Sequence, residues 1–387
     1  MDTSQLRPIP VNTPKFWGNE KDIVAQCVED GWISSEGPKV AAFESAMAEK
    51  CSRKFGIACA NGTAALDIAV KALGLGEGDE VIMPTFCIIS CITQLARAGA
   101  VPVLVDCGDD FNMDVSQVAG KITAKTKAIM CVHTYHFPVN MGPILDLAQK
   151  HGLKIIEDAA EMIGQTCGGK PCGSFGHAST MSFYPNKHIT SGEGGMVLVD
   201  CPDLAERCRQ LRNLCFNPKK RRFVHDDLGW NYRMTNLQAA LGWAQLQHLD
   251  ASVRRKREIG RLYSELLEGC PGLVLPKDRN ATDEENIYWV YGVEVAESVS
   301  ADAEEVCQRL AKVKVGTRPF FWPMHEQPVF EKMRLFEKAS FPVAERIARR
   351  GFYIPSGLAL TDDDCKEVAR RVRLVMGEMC GSGGAAV

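Results

Sequence analysis

The chain has 387 residues, 45% of them hydrophobic and 24% charged, with a net charge of −3. That length accommodates a large domain and a smaller one, and the near-neutral balance offers no basic surface for nucleic acid or an anionic membrane. No apolar run reaches the roughly 18 residues that cross a bilayer, Met1–Pro8 lacks the apolar core of a secretory signal, and the sixteen cysteines, scattered through apolar runs without a CxxC pair, are expected to be reduced core thiols of a cytoplasmic protein.

Residues 1–20 are rich in proline and weakly periodic, so an arm lying over the body is expected there. A helix over Lys21–Glu29, a turn over Asp30–Pro38 and a helix over Val40–Arg53 precede a regular rhythm of short apolar strands and helices. The strands fall at Ile57–Ala60, Glu80–Met83, Val101–Val105, Ala128–Val132 and Lys154–Ile156, with a pair flanking Lys187. The helices fall at Ala64–Leu73, Ile88–Ala98, Met141–His151 and Pro202–Leu214. Strand and helix in alternation predict an α/β domain around a mostly parallel sheet covered on both faces. Ligands of such sheets gather at the carboxyl ends of the strands.

After Asn236 the pattern turns helical, through Leu237–Gln247 and Asp250–Leu267; Arg254, Arg255, Lys256 and Arg257 are expected to form a solvated face of the second helix. Beyond Pro271 and Pro276, a strand over Tyr288–Val295 and helices over Ala301–Val313, Val343–Arg350 and Thr361–Val372 predict a smaller α+β domain. The division expected is 1–250 for arm and large domain, 251–378 for the small domain, and a disordered tail over 379–387.

The chain is organised around Lys187. Ala178, Thr180 and Ser182 alternate with Met181 and Phe183 in a strand that stops at Pro185; the turn Gly192-Glu193-Gly194-Gly195 then leads into Met196–Val199. A lysine held in such a turn among aromatics and hydroxyls is a candidate for a desolvated, nucleophilic amine. In isolation it would read as a solvated loop residue. Three upstream features alter that reading. Asn61-Gly62-Thr63 opens a helix, offering N–H groups to a phosphate or serving as a plain cap. Asp158 closes a buried strand before the small Ala159-Ala160 and Glu161, as partner for a protonated ring nitrogen or as a helix cap. Ser182 lies one strand-length before the lysine. Phosphate donors, a carboxylate for a pyridinium and a lysine for an imine, in that order, describe a pyridoxal phosphate (PLP) site.

The motifs Gly62-Thr63-Ala64-Ala65, Glu157-Asp158-Ala159-Ala160-Glu161, Ser182-Phe183-Tyr184-Pro185-Asn186-Lys187, Gly192–Gly195 and Gly229–Asn236 resemble those of the DegT/DnrJ/EryC1/StrS nucleotide-sugar aminotransferases over nearly the whole chain. The resemblance implies the aspartate-aminotransferase fold type I, with a large PLP domain and a smaller C-terminal one. It implies that Lys187 holds the cofactor and moves the proton, that Asp158 pairs with the ring nitrogen, and that Gly62, Thr63 and Ser182 hold the phosphate, with Glu161 and Ile88 beside the ring. Asn231 would reach the phosphate from a partner subunit, giving a homodimer with shared sites, and Arg233 would lie nearby. Gly31–Ser35, Glu161 and Thr317–His325 are similar to those of members that aminate C4 of a GDP-linked 4-keto-6-deoxymannose with glutamate as donor. By that likeness Trp32, Ser34, Ser35, Arg318 and His325 would contact the sugar nucleotide. Amination at C3, or of a UDP- or dTDP-linked sugar, stays open. Four positions depart from the family pattern: Ile88 where an aromatic is usual (with Phe86 as possible substitute), His136 in place of glycine, and Pro185 and His188 beside the lysine. His133 and His136 are not expected to bind metal, since no further ligand clusters with them in the sequence.

Overall fold

The computed structural model describes residues 6–217, 219–337 and 339–381. Its large sheet is built from β1 (Phe55–Cys59), β2 (Glu80–Pro84), β3 (Val101–Val105), β4 (Thr126–Val132) and β5 (Lys154–Asp158), followed by a small ribbon, β6 (Thr166–Cys167) with β7 (Lys170–Pro171), and then β8 (Ala178–Ser182) and β9 (Gly195–Val199). The order across the sheet is β1-β9-β8-β5-β4-β2-β3. Every neighbour from β8 to β3 is parallel, and β9 alone runs against both β8 and β1. These strands are rich in Val, Ile, Met and Cys and are buried almost end to end, as expected of a sheet covered on both faces. One apolar layer gathers Ile82, Ile129 and Ile144, another Met83, Met130 and Leu66. The expected α/β architecture is therefore present, most strand bounds moving by a residue or two.

The second sheet comprises β10 (Leu273–Val274), β11 (Tyr291–Val295), β12 (Arg318–Pro319) and β13 (Gly351–Ile354), all antiparallel, in the order β10-β11-β13-β12. Its core joins Val293 and Phe352 to Ile259 and Tyr263 of the helix Leu249–Leu267 and to Val368 and Val372 of the helix Asp362–Gly381. The expected strand at Tyr288 starts only at Tyr291, because Tyr288 has a left-handed backbone (φ 50°). The expected arm packs on this smaller sheet's side: Ile9 bridges to Val315, and Arg7 pairs with Asp364. The tail expected from 379 begins inside the last turn of the helix ending at Gly381, and residues 382–387 lie outside the described residues. No helix among the described residues is long and apolar enough to cross a membrane, and all sixteen cysteines are free thiols.

The basic cluster expected as a solvated face is divided. Arg254 is exposed, but Lys256 is only 2% exposed and points inward, while Arg255 bonds to Asp362 and Arg257 to Glu285. The helix turns one residue in this run towards the core, which a count of charges does not reveal.

Candidate active site

Three carboxyl-edge features converge. β5 ends at Asp158 and β8 at Ser182, and Ser182 pairs directly with Gly195, the first residue of β9. The chain between them therefore leaves the sheet and returns to the same rung. Phe183 closes its neck, its N–H donating to Gly194 O (2.8 Å) and its carbonyl accepting from Ser191 N (3.0 Å) and Thr190 Oγ1 (2.9 Å). Within this excursion the Lys187 N–H donates to Tyr184 O at 2.9 Å, a tight turn that directs the side chain inward. Opposite, the helix Gly62–Ala72 begins after Asn61, whose side chain caps Ala64 N at 2.8 Å. The N–H groups of Gly62 and Thr63 lie in that first turn, where a helix has no acceptors of its own.

These elements line a cavity of about 460 Å³ that contains Gly62, Thr63, Ile88, Asp158, Glu161, Ser182 and Lys187, seven of the residues expected for a cofactor. Its wall also takes Ser90, His133, Tyr184, Trp289, Phe321 and Tyr353. The anion end fits a phosphate: a Cβ on Gly62 would lie 2.9 Å from Ser182 Cβ and 3.3 Å from its hydroxyl, so only glycine leaves that corner free. Asp158 combines the two readings of its sequence. Its Oδ1 accepts from Ala160 N (3.0 Å), a local cap, while Oδ2 accepts from the Cys91 thiol (3.2 Å), and the residue lines the cavity.

Lys187 Nζ stands 3.9 Å from Glu161 Oε1 and 3.9 Å from the centre of the Trp289 ring. Burial lowers the Lys187 pKa, although Glu161 and Asp158 pull the other way. Burial likewise raises Glu161, to about 8, against the opposing charge of Lys187. Both groups are pushed towards their neutral forms, which suits a nucleophilic amine. Glu161 is fixed by the Tyr135 N–H, which donates to Oε2 at 2.7 Å; Tyr135 is left-handed (φ 58°), and its hydroxyl in turn accepts from Phe321 N. His133 accepts the Val139 N–H at Nδ1 (3.0 Å), so its proton sits on Nε2 and is donated to Glu157 (3.0 Å). A ligand cluster that the sequence did not suggest does exist here, since Glu157 and Cys172 lie within ligand distance of His133. Glu157, however, already accepts from Gly173 N, Phe175 N and Ser179 Oγ.

The departures from the family pattern have local explanations. Ile88 lines the cavity and is 38% exposed, whereas Phe86 is fully buried against Tyr135 and Phe320 and does not take its place. The left-handed residue in the 133–138 turn is Tyr135, so position 136 needs no glycine; the His136 imidazole packs on Phe111 and over Gly292. Pro185 gives its carbonyl to Asn12 of the arm (3.0 Å). His188 is fully buried behind the lysine, and burial followed by the charge of Lys256 holds its pKa well below 6.5.

The remaining expected residues lie outside this cavity. Asn231 bridges to Asn213 and accepts from Arg233 Nε (2.9 Å), on the far side of β1. Trp32, Ser34 and Ser35 form a surface loop held by Asn236, which bonds to Trp32 O and Ser34 O. Arg318 is exposed, while His325 is half-buried between Thr85 (2.8 Å) and Glu345 (3.2 Å). Trp289 and Tyr353 escaped sequence reading because each sits beside or in a strand of the second sheet, where its aromatic side chain reads as core.

A lysine, an acid and an anion cradle on the carboxyl edge of a sheet of this topology define a class. The chain matches the DegT/DnrJ/EryC1/StrS aminotransferase family over residues 16–373 and belongs to it. Among individual proteins, it is 38% identical over 366 residues to the GDP-perosamine synthase of Vibrio cholerae, covering 94% of this chain and 98% of that one. It is 39% identical to the GDP-perosamine synthase of Caulobacter vibrioides, covering 94% and 97%. The solved structure of an aminotransferase, TlmJ, from Streptoalloteichus hindustanus superposes with a TM-score of 0.88 at 28% identity, over 96% of this chain and 100% of the other. The expected family and fold type are thus those of the molecule.

Proposed function

We propose that this protein is a pyridoxal-phosphate-dependent 4-aminotransferase that converts GDP-linked 4-keto-6-deoxymannose to GDP-perosamine, with glutamate as amino donor. The observation that carries the reading is one cavity holding a desolvated Lys187, the Asp158 carboxylate and the Gly62–Ser182 corner; the relatives' names supply the sugar and the nucleotide. When bound, the cofactor supplies an electron sink that makes a Cα–H bond acidic.

The chain's own residues do the rest. Gly62, Thr63 and Ser182 bind the phosphate. Asp158 keeps the proton on the ring nitrogen, and Ala160 N–H holds that carboxylate in place. Ile88 gives aliphatic contact to one ring face. The Lys187 Nζ takes and returns the migrating proton, burial lowering its basicity and so favouring the free amine. Glu161, which burial pushes towards its neutral form, lies 3.9 Å from that nitrogen and so sets less negative charge against it. Asn231 and Arg233, outside their own subunit's cavity, are assigned to the site of a second copy in a homodimer. Trp32, Ser34, Ser35, Arg318 and His325 are assigned to the sugar nucleotide. Sixteen free thiols accord with a reducing compartment, the cytoplasm.

The test is mass spectrometry of purified protein incubated with glutamate and each of the GDP-, UDP- and dTDP-linked 4-keto-6-deoxy sugars. Conversion of the GDP-linked keto sugar to a product carrying an amine at C4, absent with Lys187→Ala, is the expected result. Amination of another nucleotide's sugar alone, or at C3, overturns the assignment.

A further inference from the structure

Lys256 belongs to the helix Leu249–Leu267 and is almost fully buried, yet no carboxylate pairs with it among the described residues. Its Nζ donates to two main-chain carbonyls instead, Trp289 O at 2.8 Å and Ser356 O at 2.7 Å. An ammonium buried against carbonyls alone is costly, and here burial lowers its pKa to about 7, with the charge of Lys187 adding to the effect. A methionine would fill the same space at less cost, so what the two bonds secure identifies why a lysine stands there.

They secure a residue packed against the Lys187 nitrogen. Lys187 Nζ lies over the Trp289 ring, the indole N–H donates to Asn186 O at 2.9 Å, and the ring stacks on Tyr135 with centroids 5.7 Å apart. Ser356 fixes the next stretch, its hydroxyl accepting from Tyr291 N at 3.1 Å. The chain into β11 and the chain leaving β13 therefore meet at one side-chain amine. Without it, two buried carbonyls lose their donor exactly where the backbone must hold an indole against the lysine.

We infer that Lys256 is a positioning residue for the Lys187 amine, acting through Trp289. It anchors the Trp289 main chain so that the indole stays over Nζ and keeps its bond to Asn186. The inference rests on Lys187 being the reacting amine, and its test separates the two ideas by including a measurement that needs neither substrate nor cofactor.

The variants are Lys256→Met, Lys256→Arg, Trp289→Phe and the Met/Phe double variant. In the cofactor-free full-length chain, the Trp289 contribution to near-ultraviolet circular dichroism is the difference between the wild type and Trp289→Phe. Lys256→Met should lose most of that contribution, and Lys256→Arg, which retains donors and charge, should recover it. In the loaded enzyme, Lys256→Met should lower kcat about tenfold, equivalent to about 1.4 kcal/mol, with KM within about twofold. Added to Trp289→Phe, it should cost less than about a further twofold, as expected for groups acting as one unit. Should the methionine variant not fold, Lys256→Gln, neutral but still a donor, takes its place and should lose part of the dichroic band. An intact Trp289 band in the methionine or glutamine variant, or rate losses that multiply in the double variant, overturns the inference. Failure of the sugar assignment would leave the dichroism result unchanged.

Discussion

Replacing Glu161 by glutamine tests the electrostatics on which the amine depends. In the unfolded chain this carboxyl titrates at its ordinary value of 4.5, whereas in the folded protein burial raises it to about 8. Between those values the folded state binds more protons than the unfolded one. The stability the site contributes is thus fully present below the lower value and is lost as pH rises towards 8, at up to about 1.4 kcal/mol per pH unit. From about pH 6 to about pH 8 the wild type should lose about 2–3 kcal/mol relative to Glu161→Gln, which has no proton to release. Removing the carboxylate also removes the charge that holds the Lys187 pKa up, which makes the variant gain with rising pH and so adds to the same trend. Urea denaturation of the cofactor-free chain at half-unit pH intervals measures the gap. A gap that stays constant from about pH 6 to about pH 9 would refute the claim that Glu161 is held protonated at neutral pH.

Two further substitutions probe how the site is supported. Arg53, almost fully buried, donates to Gly173 O, Gly176 O, Phe175 O, Ser179 Oγ and Asp200, so Arg53→Met should cost about 3–5 kcal/mol in urea unfolding; a loss under about 1 kcal/mol would show that the 173–179 loop does not depend on it. A Cβ at Gly195 would lie 2.3 Å from Asn61 O and 2.8 Å from Gly62 N, both backbone atoms that cannot swing away. Gly195→Ala should therefore weaken retention of pyridoxal phosphate about tenfold or more, about 1.4 kcal/mol, by equilibrium dialysis; unchanged retention would dissociate the Gly62 corner from phosphate binding.

How much of this was legible in the sequence follows from the range of the interactions. The strand–helix rhythm and the residues that line the candidate cavity were readable because each sits at a strand end or helix start, where local pattern fixes position. Asp158 and Ser182 are the last residues of their strands, and Gly62 is the first of its helix. Trp289 was not readable: Tyr288-Trp289-Val290 looks like strand, and only the left-handed Tyr288 and a lysine over thirty positions earlier bring the indole to Lys187. Lys256 was misjudged for the same reason, since a run of four basic residues carries no sign of which one its helix turns inward. The two-residue strands β10 and β12 are too short to leave a periodicity.

Because β9 reverses direction, the stretch bearing Lys187 is a closed excursion whose entrance and exit share one rung, Ser182 opposite Gly195. The footing of the excursion, and with it the position of Ser182 against Gly62, is consequently set by strand register. Residues such as Pro185 and His188 can differ inside the excursion without shifting its footing, while a single-residue slip of that rung would move Ser182 away from Gly62 together with every contact built on that corner.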